Sequence, residues 1–310
     1  MRTFLHIVNP YPCKENSSAY KEQSHTLHAL SVAKKNYQGE VIQCGVTFPE
    51  EIISIPNSLI IQPVLHSSLA QFCNSEKKLP LLNEILGIAK TYEKCEYVIY
   101  SNMDIIPSPS FYSYINHQLQ EHDALVINRR RIDRSFLDTK IENQYLIFSE
   151  AGKEHPGFDC FVFKRGLIDQ FELGRVCIGI PHAENTLLHN LIAFSKSLQV
   201  ISNAHITFHI GMELHKQWGT KTEERFNLAE YKAQLKKLKP HLRISNFPGS
   251  SDGFCKRHFR WLMHPSFSFP LMLSLELKQK RNKREKPQKE KLNFKNKYLE
   301  WLFKKVKIDE

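Results

Sequence analysis

Midway through its first half, the sequence reads Tyr97-Val98-Ile99-Tyr100-Ser101-Asn102-Met103-Asp104. The run Tyr97–Tyr100 contains only aromatic and β-branched residues, which favours a buried strand, and the residues after it favour a polar loop. A helical pattern precedes the strand over Pro80–Lys94, and another begins near Ser108. Apolar strands of this length between helical patterns predict crossover connections and a mostly parallel sheet that is covered on both faces. The predicted fold class is therefore α/β.

The same alternation of strands and helices continues on both sides of residues 97–104. Before them, the patterns predict strands at Phe4–Val8, Val41–Val46 and 58–62, with a helix over Ser24–Lys35. After them, the patterns predict strand Ala124–Ile127, a loop region 133–156, strand Cys160–Phe163, helix Asn185–Ser197, a long strand over 199–210 and helix Arg225–Lys239. We find no internal repeat.

Charge is distributed unevenly along the 310 residues. The composition, 41% hydrophobic and 24% charged, is typical of globular proteins and excludes collagen-like, mucin-like and wholly disordered chains. The formal net charge is +11, but residues 278–310 alone carry 13 basic and 5 acidic side chains. The sequence therefore predicts an α/β domain over 1–241, an aromatic-rich extension over 242–277 and a basic C-terminal tail over 278–310.

The cysteines and the apolar runs indicate the cellular compartment. The seven cysteines are odd in number and form no Cys-x-x-Cys pair, which argues against structural zinc and against a disulfide framework. The N-terminus lacks the apolar core of a signal peptide, and no apolar run reaches the roughly 20 residues that span a bilayer. We expect a cytoplasmic protein with reduced thiols and no transmembrane helix.

The basic tail has three possible roles. A run of lysines and arginines is most often a solvated, partly helical or disordered segment, but it can also contact acidic phospholipids or nucleic acid. The pattern Tyr298-Leu299 with Trp301–Phe303 among lysines is typical of a short amphipathic helix, which favours a membrane surface. We expect peripheral association with the inner face of the membrane and no specific nucleic acid partner.

Asp104 is the first candidate for chemistry. In open α/β sheets, ligands bind outside the carboxyl ends of the strands, and Asp104 lies in the loop that follows such an end. A carboxylate there can hold a hard divalent cation, which can neutralise a diphosphate. The alternative is that Asp104 only caps a turn.

Five segments together resemble the GT-A glycosyltransferases, which are nucleotide-diphospho-sugar transferases, and in particular a set of uncharacterised bacterial glycosyltransferase-like proteins. The resemblance covers Phe4–Gly211, and its order and spacing are more specific than any single motif. The segments are Leu79–Leu86, Tyr97–Asp104, Ala124–Arg130, His155–Phe163 and His205–Gly211. The resemblance implies a GT-A-like sheet and a nucleotide-diphosphate sugar as donor substrate.

The resemblance also implies a divalent cation, Mn²⁺ or Mg²⁺, at Asp104. GT-A enzymes carry Asp-x-Asp at this place, whereas this chain has Asn102-Met103-Asp104, and Asn102 offers a carbonyl oxygen without charge. A late histidine is often a further ligand in the family, and His209 resembles it, although a core histidine is the alternative. The missing first carboxylate leaves open a weakly metal-dependent enzyme or an inactive relative.

The resemblance also implies carboxylates that bind or deprotonate the acceptor. Asp159, at the start of a strand, resembles an acceptor-site residue, and Glu184, at the start of a predicted helix, lies where the family places its general base. A helix N-terminus favours the ionised carboxylate, which suits a base, although a first-turn acid can be purely structural.

Contacts to the donor complete the predicted site. Arg129 would add positive charge at the diphosphate, because a guanidinium can bind it in two-point contact. Lys78 lies where similar proteins contact the donor, and Asn9, at the end of the first strand, lies where they hold the nucleoside. The alternative for Lys78 and its neighbours is a solvated basic surface.

These observations predict a glycosyltransferase that moves a sugar from a nucleotide-diphosphate donor to a hydroxyl acceptor, such as a glycan or a lipid-linked sugar. One alternative is a catalytically inactive GT-A-like binding protein, and another is a nucleic-acid-binding protein that acts through the basic tail. The sequence contains no GxGxxG after the first strand, no GxxxxGK[ST], no GxSxG and no HExxH, which argues against dinucleotide, P-loop, serine hydrolase and zinc protease chemistry.

Overall fold

The structure is a computed structural model that describes residues 1–51, 59–213, 219–263 and 270–278. The chain divides into two compact units, Met1–Pro248 and Gly249–Glu310. Nearly all of the predicted basic tail lies outside the described residues, and so do Ser58 and the pattern at 298–303.

The strands of the first unit are β1 Phe4–Val8, β2 Val41–Val46, β3 Ile60–Gln62, β4 Tyr97–Ser101, β5 Ile106–Pro107, β6 Ala124–Ile127, β7 Arg130–Ile132, β8 Lys153–Glu154, β9 Cys160–Lys164, β10 Leu198–Ile201 and β11 Thr207–Ile210. The α-helices are α1 Ser18–Lys35, α2 Leu82–Gly87, α3 Phe111–Gln118, α4 Tyr145–Ser149, α5 Ala183–Phe194, α6 Lys221–Leu238 and, in the second unit, α7 Phe254–Met263. Residues 270–278, which end the described part of the chain, are helical as well. Short 3-10 turns lie between several of these elements.

A seven-stranded sheet in the order β10-β6-β9-β4-β1-β2-β3 forms the centre of the first unit. β9 is antiparallel to both of its neighbours, and the other neighbouring strands run parallel. Every residue of β1, β4 and β6 is buried, and apolar side chains of α1 and α3 belong to the same core. The predicted α/β fold with a mostly parallel, helix-flanked sheet is confirmed.

A second, smaller sheet has the strand order β5-β11-β7-β8. The prediction of one long strand over 199–210 is wrong. β10 extends the large sheet by pairing with β6, whereas β11 pairs with β5 and β7 in the small sheet. The chain turns at 202–206, where Ser202 and Asn203 favour a turn. His205 therefore lies outside the strand, and its imidazole contacts the backbone carbonyl of Glu150.

Several predicted helix boundaries are also corrected. α1 begins at Ser18 because the Ser17 hydroxyl accepts a hydrogen bond from the Tyr20 amide. α6 begins at Lys221 because Thr220 and Glu223 form a capping box. The predicted helix over 80–94 is shorter: α2 ends at Gly87, and a 3-10 turn follows, since glycine is a poor helix former.

The remaining boundaries shift by a few residues. α3 begins at Phe111 rather than near Ser108, and α5 covers Ala183–Phe194 rather than 185–197. The predicted loop region 133–156 contains the short helix α4 and strand β8. None of these changes moves a candidate site residue away from a strand or helix end.

A buried polar network supports the end of β4. Nδ1 of His6 lies 2.8 Å from the Tyr112 hydroxyl, and Nε2 lies 2.9 Å from the Ser101 hydroxyl. Burial lowers the pKa of His6 to about 3, so the ring is neutral and one nitrogen donates while the other accepts. The network links β1, α3 and the last residue of β4, directly before Asn102.

Among the helices that the structure describes, none has both the length and the apolar character that a membrane span requires.

Candidate functional site

The antiparallel strand β9 brings residues from three chain segments to one sheet edge. Ser101 and Ile127, the last residues of β4 and β6, both pair with Cys160, the first residue of β9. The residue before β9, Asp159, therefore lies beside the loops that follow β4 and β6. The amide of Asn102 donates to the Asp159 carbonyl over 3.3 Å. Asp159 thus shares the carboxyl edge of the parallel strands although it precedes its own strand.

Asp104 and His209 face each other at this edge. Nε2 of His209 lies 3.2 Å from Oδ2 of Asp104, and 24% of the Asp104 side chain is exposed. Burial would raise the pKa of Asp104, but the hydrogen bond from His209 and the charges of His209 and Arg129 lower it to about 2. Asp104 is therefore ionised at neutral pH.

A glycine holds the backbone next to His209. Gly211 has φ of +135°, and its amide donates to the Ile132 carbonyl over 2.9 Å at the end of β11. A Cβ atom at this position would lie 2.7 Å from Oε2 of Glu213 and 3.2 Å from Cε1 of His209. Any larger residue would push against the imidazole, so Gly211 helps to keep His209 oriented toward Asp104.

Arg129 and Asp159 form a buried ion pair between Nη1 and Oδ1. Only 14% of the Arg129 side chain and 5% of the Asp159 side chain are exposed. Burial raises the pKa of Asp159, and the Arg129 charge opposes that rise. His155 lies against both partners, with Nε2 3.3 Å from Arg129 Nη2 and Nδ1 3.9 Å from Asp159 Oδ2. The guanidinium is held here rather than free in solvent.

The neighbouring arginines have structural contacts. Arg130 donates to the backbone carbonyls of Ala151 and Gly152, and Arg131 donates to those of Glu154 and Met212. Each stabilises the small sheet and the loop before it. Of this basic run, Arg129 is thus the one whose partner is a site carboxylate.

Glu184 lies in the first turn of α5 and reaches the loop after β4. Interactions with the Asn102 side chain and with its own backbone amide act to lower the pKa of its carboxylate. Burial, together with the negative charge of Asp159, raises the pKa of Glu184 to about 7, against the effect of those interactions and of Arg129. The residue before the helix, His182, has φ of +86°, an uncommon conformation for a residue other than glycine. This strained cap positions the turn that carries Glu184.

Two of the predicted site residues have other partners. The Asn9 amide donates to the Val46 carbonyl over 2.7 Å and joins the ends of β1 and β2. Lys78 forms an ion pair with Glu50, and its ammonium lies 3.9 Å from the centre of the Phe48 ring. The structure thus brings six of the predicted residues together, namely Asn102, Asp104, Arg129, Asp159, Glu184 and His209.

The fit of this cluster to a divalent cation is incomplete but chemically consistent. Within the described ranges, no group of three or more His, Cys, Asp and Glu side chains could hold a metal. Oδ1 of Asp104 and Nδ1 of His209 are buried and have no hydrogen-bond partner. Hard cations such as Mg²⁺ often take only one or two protein ligands and complete their shell with phosphate oxygens and water. Asp104 with His209 fits that pattern.

Comparisons with known proteins add the following similarities. No protein-family model matches the sequence, and no curated protein matches it. Residues 1–349 of S. aureus TarS in complex with UDP-GlcNAc are 11% identical to this chain, with a TM-score of 0.44 over 84% of this chain and 73% of that one. M. tuberculosis glucosyl-3-phosphoglycerate synthase with Mg²⁺ and UDP is 12% identical, with a TM-score of 0.40 over 75% of this chain and 79% of that one.

Both of these proteins are GT-A-type glycosyltransferases, the class that the sequence motifs resemble. A further structure of the M. tuberculosis synthase, with Mn²⁺, UDP and phosphoglyceric acid, is 11% identical, with a TM-score of 0.41 over 75% of this chain and 78% of that one. At TM-scores below 0.5, these similarities carry no inference about the activity of this chain. Its function is therefore inferred from the geometry of the site.

Three residues at the site were not assigned from the sequence. His155 contacts the Arg129–Asp159 pair. The Tyr100 hydroxyl lies 3.4 Å from Oδ1 of Asn102, and its pKa is raised by burial and by the charges of Glu184 and Asp104. Burial and the Asp104 charge raise the pKa of Tyr11 to about 12. All three residues lie in or next to a motif at a strand end. That position is the sequence feature from which they could have been predicted as site residues.

Proposed function

We propose that this protein is a glycosyltransferase of the GT-A type that transfers a sugar from a nucleotide-diphosphate donor to a hydroxyl acceptor. The observation that carries the proposal is the clustering of an ionised Asp104, a held Arg129 and a Glu184 with a pKa of about 7 at one sheet edge. Such a set can hold a diphosphate and remove a proton in the same place.

Donor binding is assigned to Asp104, His209 and Arg129. Asp104, with His209 and the Asn102 carbonyl oxygen beside it, would hold Mn²⁺ or Mg²⁺. When bound, the cation supplies positive charge that neutralises the diphosphate of the donor. Arg129 adds further positive charge toward the departing nucleoside diphosphate, and Asp159 orients the guanidinium through the ion pair.

Proton removal is assigned to Glu184 rather than to Asp159. The acceptor hydroxyl gives its proton to the Glu184 carboxylate while its oxygen forms a bond to the anomeric carbon. The bond between that carbon and the diphosphate breaks, and its electron pair leaves with the nucleoside diphosphate. A base with a pKa of about 7 is unprotonated in a large fraction of molecules and still strong enough to accept the proton. The Asp159 carboxylate is instead engaged by the Arg129 guanidinium.

Replacing Glu184 by glutamine should lower kcat/KM by about 10²–10⁴-fold, because the amide cannot accept the proton. Wild-type activity should rise with pH through about 7, since Glu184 is protonated below its raised pKa and ionised above it. In Glu184→Gln this rise should disappear. Initial rates from pH 5 to 9 measure both effects. Glu142→Gln, which changes an exposed first-turn carboxylate, is the matched control and should behave as wild type. Full activity of Glu184→Gln would remove Glu184 from this role.

A non-catalytic nucleotide-sugar binder is the second candidate, and the single carboxylate in Asn102-Met103-Asp104 favours it. Incubation with a panel of UDP- and GDP-sugars and Mn²⁺ separates the two. Slow hydrolysis of one donor, or transfer to an added acceptor, supports the enzyme. Thermal stabilisation by a donor without any turnover supports the binder.

The acceptor side of the proposal rests on the sequence. A glycan or lipid-linked acceptor remains a prediction. Contact of the basic tail with an anionic membrane also remains a prediction, because residues 279–310 lie outside the described part of the chain.

A further inference from the structure

The second compact unit exposes one apolar face of a helix. On α7, the side chains of Phe259, Leu262 and Met263 are 67%, 60% and 65% exposed. The neighbouring Cys255 is exposed as well. Spacings of three and four residues place these side chains along one side of the helix. Solvent therefore meets a continuous apolar stripe instead of scattered single residues, and such stripes mark interaction surfaces.

The opposite side of α7 is held within its own unit. Trp261 is buried, and the guanidinium carbon of Arg257 lies 5.4 Å from the centre of its ring. Arg257 also donates to Oε1 of Glu276 over 2.7 Å, and Nε2 of His258 lies 2.8 Å from Oε2 of the same carboxylate. At about 100° per residue, Arg257 and Trp261 point away from the exposed stripe. The contacts that fix α7 therefore leave Phe259, Leu262 and Met263 exposed to solvent.

Positive charge is concentrated in the same unit. Residues 249–310 carry 16 basic and 7 acidic side chains, whereas residues 1–248 carry 27 and 25. Lys256 and Arg260 flank the apolar stripe and are 70% and 46% exposed, and both pair with the single carboxylate of Asp252. The first unit is close to neutral, and the second is strongly basic. Beside the stripe itself, the two cationic side chains of Lys256 and Arg260 outweigh the one carboxylate of Asp252.

We propose that the α7 face formed by Phe259, Leu262 and Met263 lies in the interface of an anionic phospholipid bilayer. The apolar side chains can be buried at the boundary of the acyl chains, while the basic side chains beside them contact the anionic headgroups. A second copy of this unit fits less well because two strongly basic units repel each other. Nucleic acid fits less well because its phosphates and bases require polar contacts, not three large apolar side chains. The proposal does not depend on the proposed enzymatic activity.

Vesicle flotation with the full chain tests this proposal. Vesicles of phosphatidylcholine with about 30% phosphatidylglycerol should bind the protein, and pure phosphatidylcholine should bind it far more weakly. The variant Phe259→Ser/Leu262→Ser/Met263→Ser should lose about tenfold or more in apparent affinity for the anionic vesicles, because each side chain gives up a large apolar contact. Tyr145→Ser/Leu146→Ser removes exposed apolar side chains from the first unit and should bind as wild type.

A second measurement separates insertion from simple charge attraction. An environment-sensitive dye on Cys255, in a Cys13→Ser/Cys73→Ser background, should shift to shorter wavelength on anionic vesicles at both low and moderate salt. Melting curves should show that the triple variant is folded. Unchanged vesicle binding by the folded triple variant would overturn the proposal. So would absence of wild-type binding, or a wild-type dimer in ultracentrifugation that becomes a monomer in the triple variant without any vesicle binding.

Discussion

Replacing Asp104 by asparagine should weaken Mn²⁺-dependent binding of UDP by about a hundredfold or more. Loss of a hydrogen-bonding partner behind a metal ligand typically costs about 10–100-fold, and here the charged ligand itself is removed. The effect should be large because Asp104 is the single carboxylate of the Asn102–Asp104 segment. Titration calorimetry with UDP, at fixed Mn²⁺ and with Mn²⁺ removed, measures the difference.

The control for this experiment is Asp138→Asn, which removes a carboxylate whose side chain is 75% exposed and paired with Lys21. It should bind UDP as wild type. His209→Asn provides a second variant at the site. It should lower the affinity for UDP by a smaller factor, because the negative charge of Asp104 remains. Equal affinities of wild type and Asp104→Asn in the presence of Mn²⁺ would contradict the cation role, whatever the enzyme assays show.

The pKa of Asp104 also predicts how stability responds to acid. Its folded pKa of about 2 lies below the ordinary value, so ionised Asp104 stabilises the folded state above the ordinary pKa. That contribution is lost as the pH falls through about 4 to about 2. Asp104→Asn should therefore lose less stability than wild type over this pH range, which a series of urea titrations measures.

Replacing Arg129 by methionine should lower the free energy of unfolding by about 3–5 kcal/mol, because it leaves the buried Asp159 carboxylate without its partner. Arg129→Met/Asp159→Leu should recover most of this loss, since an apolar pair of similar volume needs no compensating charge. Asp159→Leu alone should cost less than Arg129→Met, because the arginine side chain is more exposed than the aspartate. Urea titration of the three variants and wild type gives the coupling energy.

The same experiment has a pH control and a surface control. Unpaired Asp159 in Arg129→Met should take up a proton more readily, so the stability deficit should be larger near pH 8 than near pH 5. Lys21→Met, which breaks the exposed pair with Asp138, should change the free energy of unfolding by no more than about 1 kcal/mol. A double variant as unstable as Arg129→Met would show that the loss comes from arginine packing instead of charge.

Much of the fold followed from local patterns. The apolar runs of β1, β4, β6 and β9 were correctly placed, because a fully buried strand requires apolar residues at successive positions. The one wrong strand assignment has a tertiary cause. The supposed strand over 199–210 is apolar enough to be continuous, but its two halves pair with different partners, and those pairings involve residues far away in the sequence.

The candidate site shows the same division. Asp104 was singled out because it follows a strand end, and the resemblance to GT-A enzymes implied the role of Glu184 at the start of a predicted helix. The contact between Arg129 and Asp159 could not be predicted, since it depends on β9 inserting antiparallel between β4 and β6. The involvement of His155 follows from the same insertion. Periodicity and composition contain no information on which strand lies between which others.

The sequence by itself determined the α/β class, the strand-end positions of Asn102, Asp104, Arg129, Asp159 and His209, and the concentration of positive charge toward the C-terminus. These depend on residue type and spacing, which are local. Only the tertiary structure decided which of these side chains meet, and it alone made Asp104 a strong acid and Glu184 a base with a pKa of about 7. The reason is physical: a pKa responds to burial and to charges within a few ångströms, and both arise from contacts between segments that are distant along the chain.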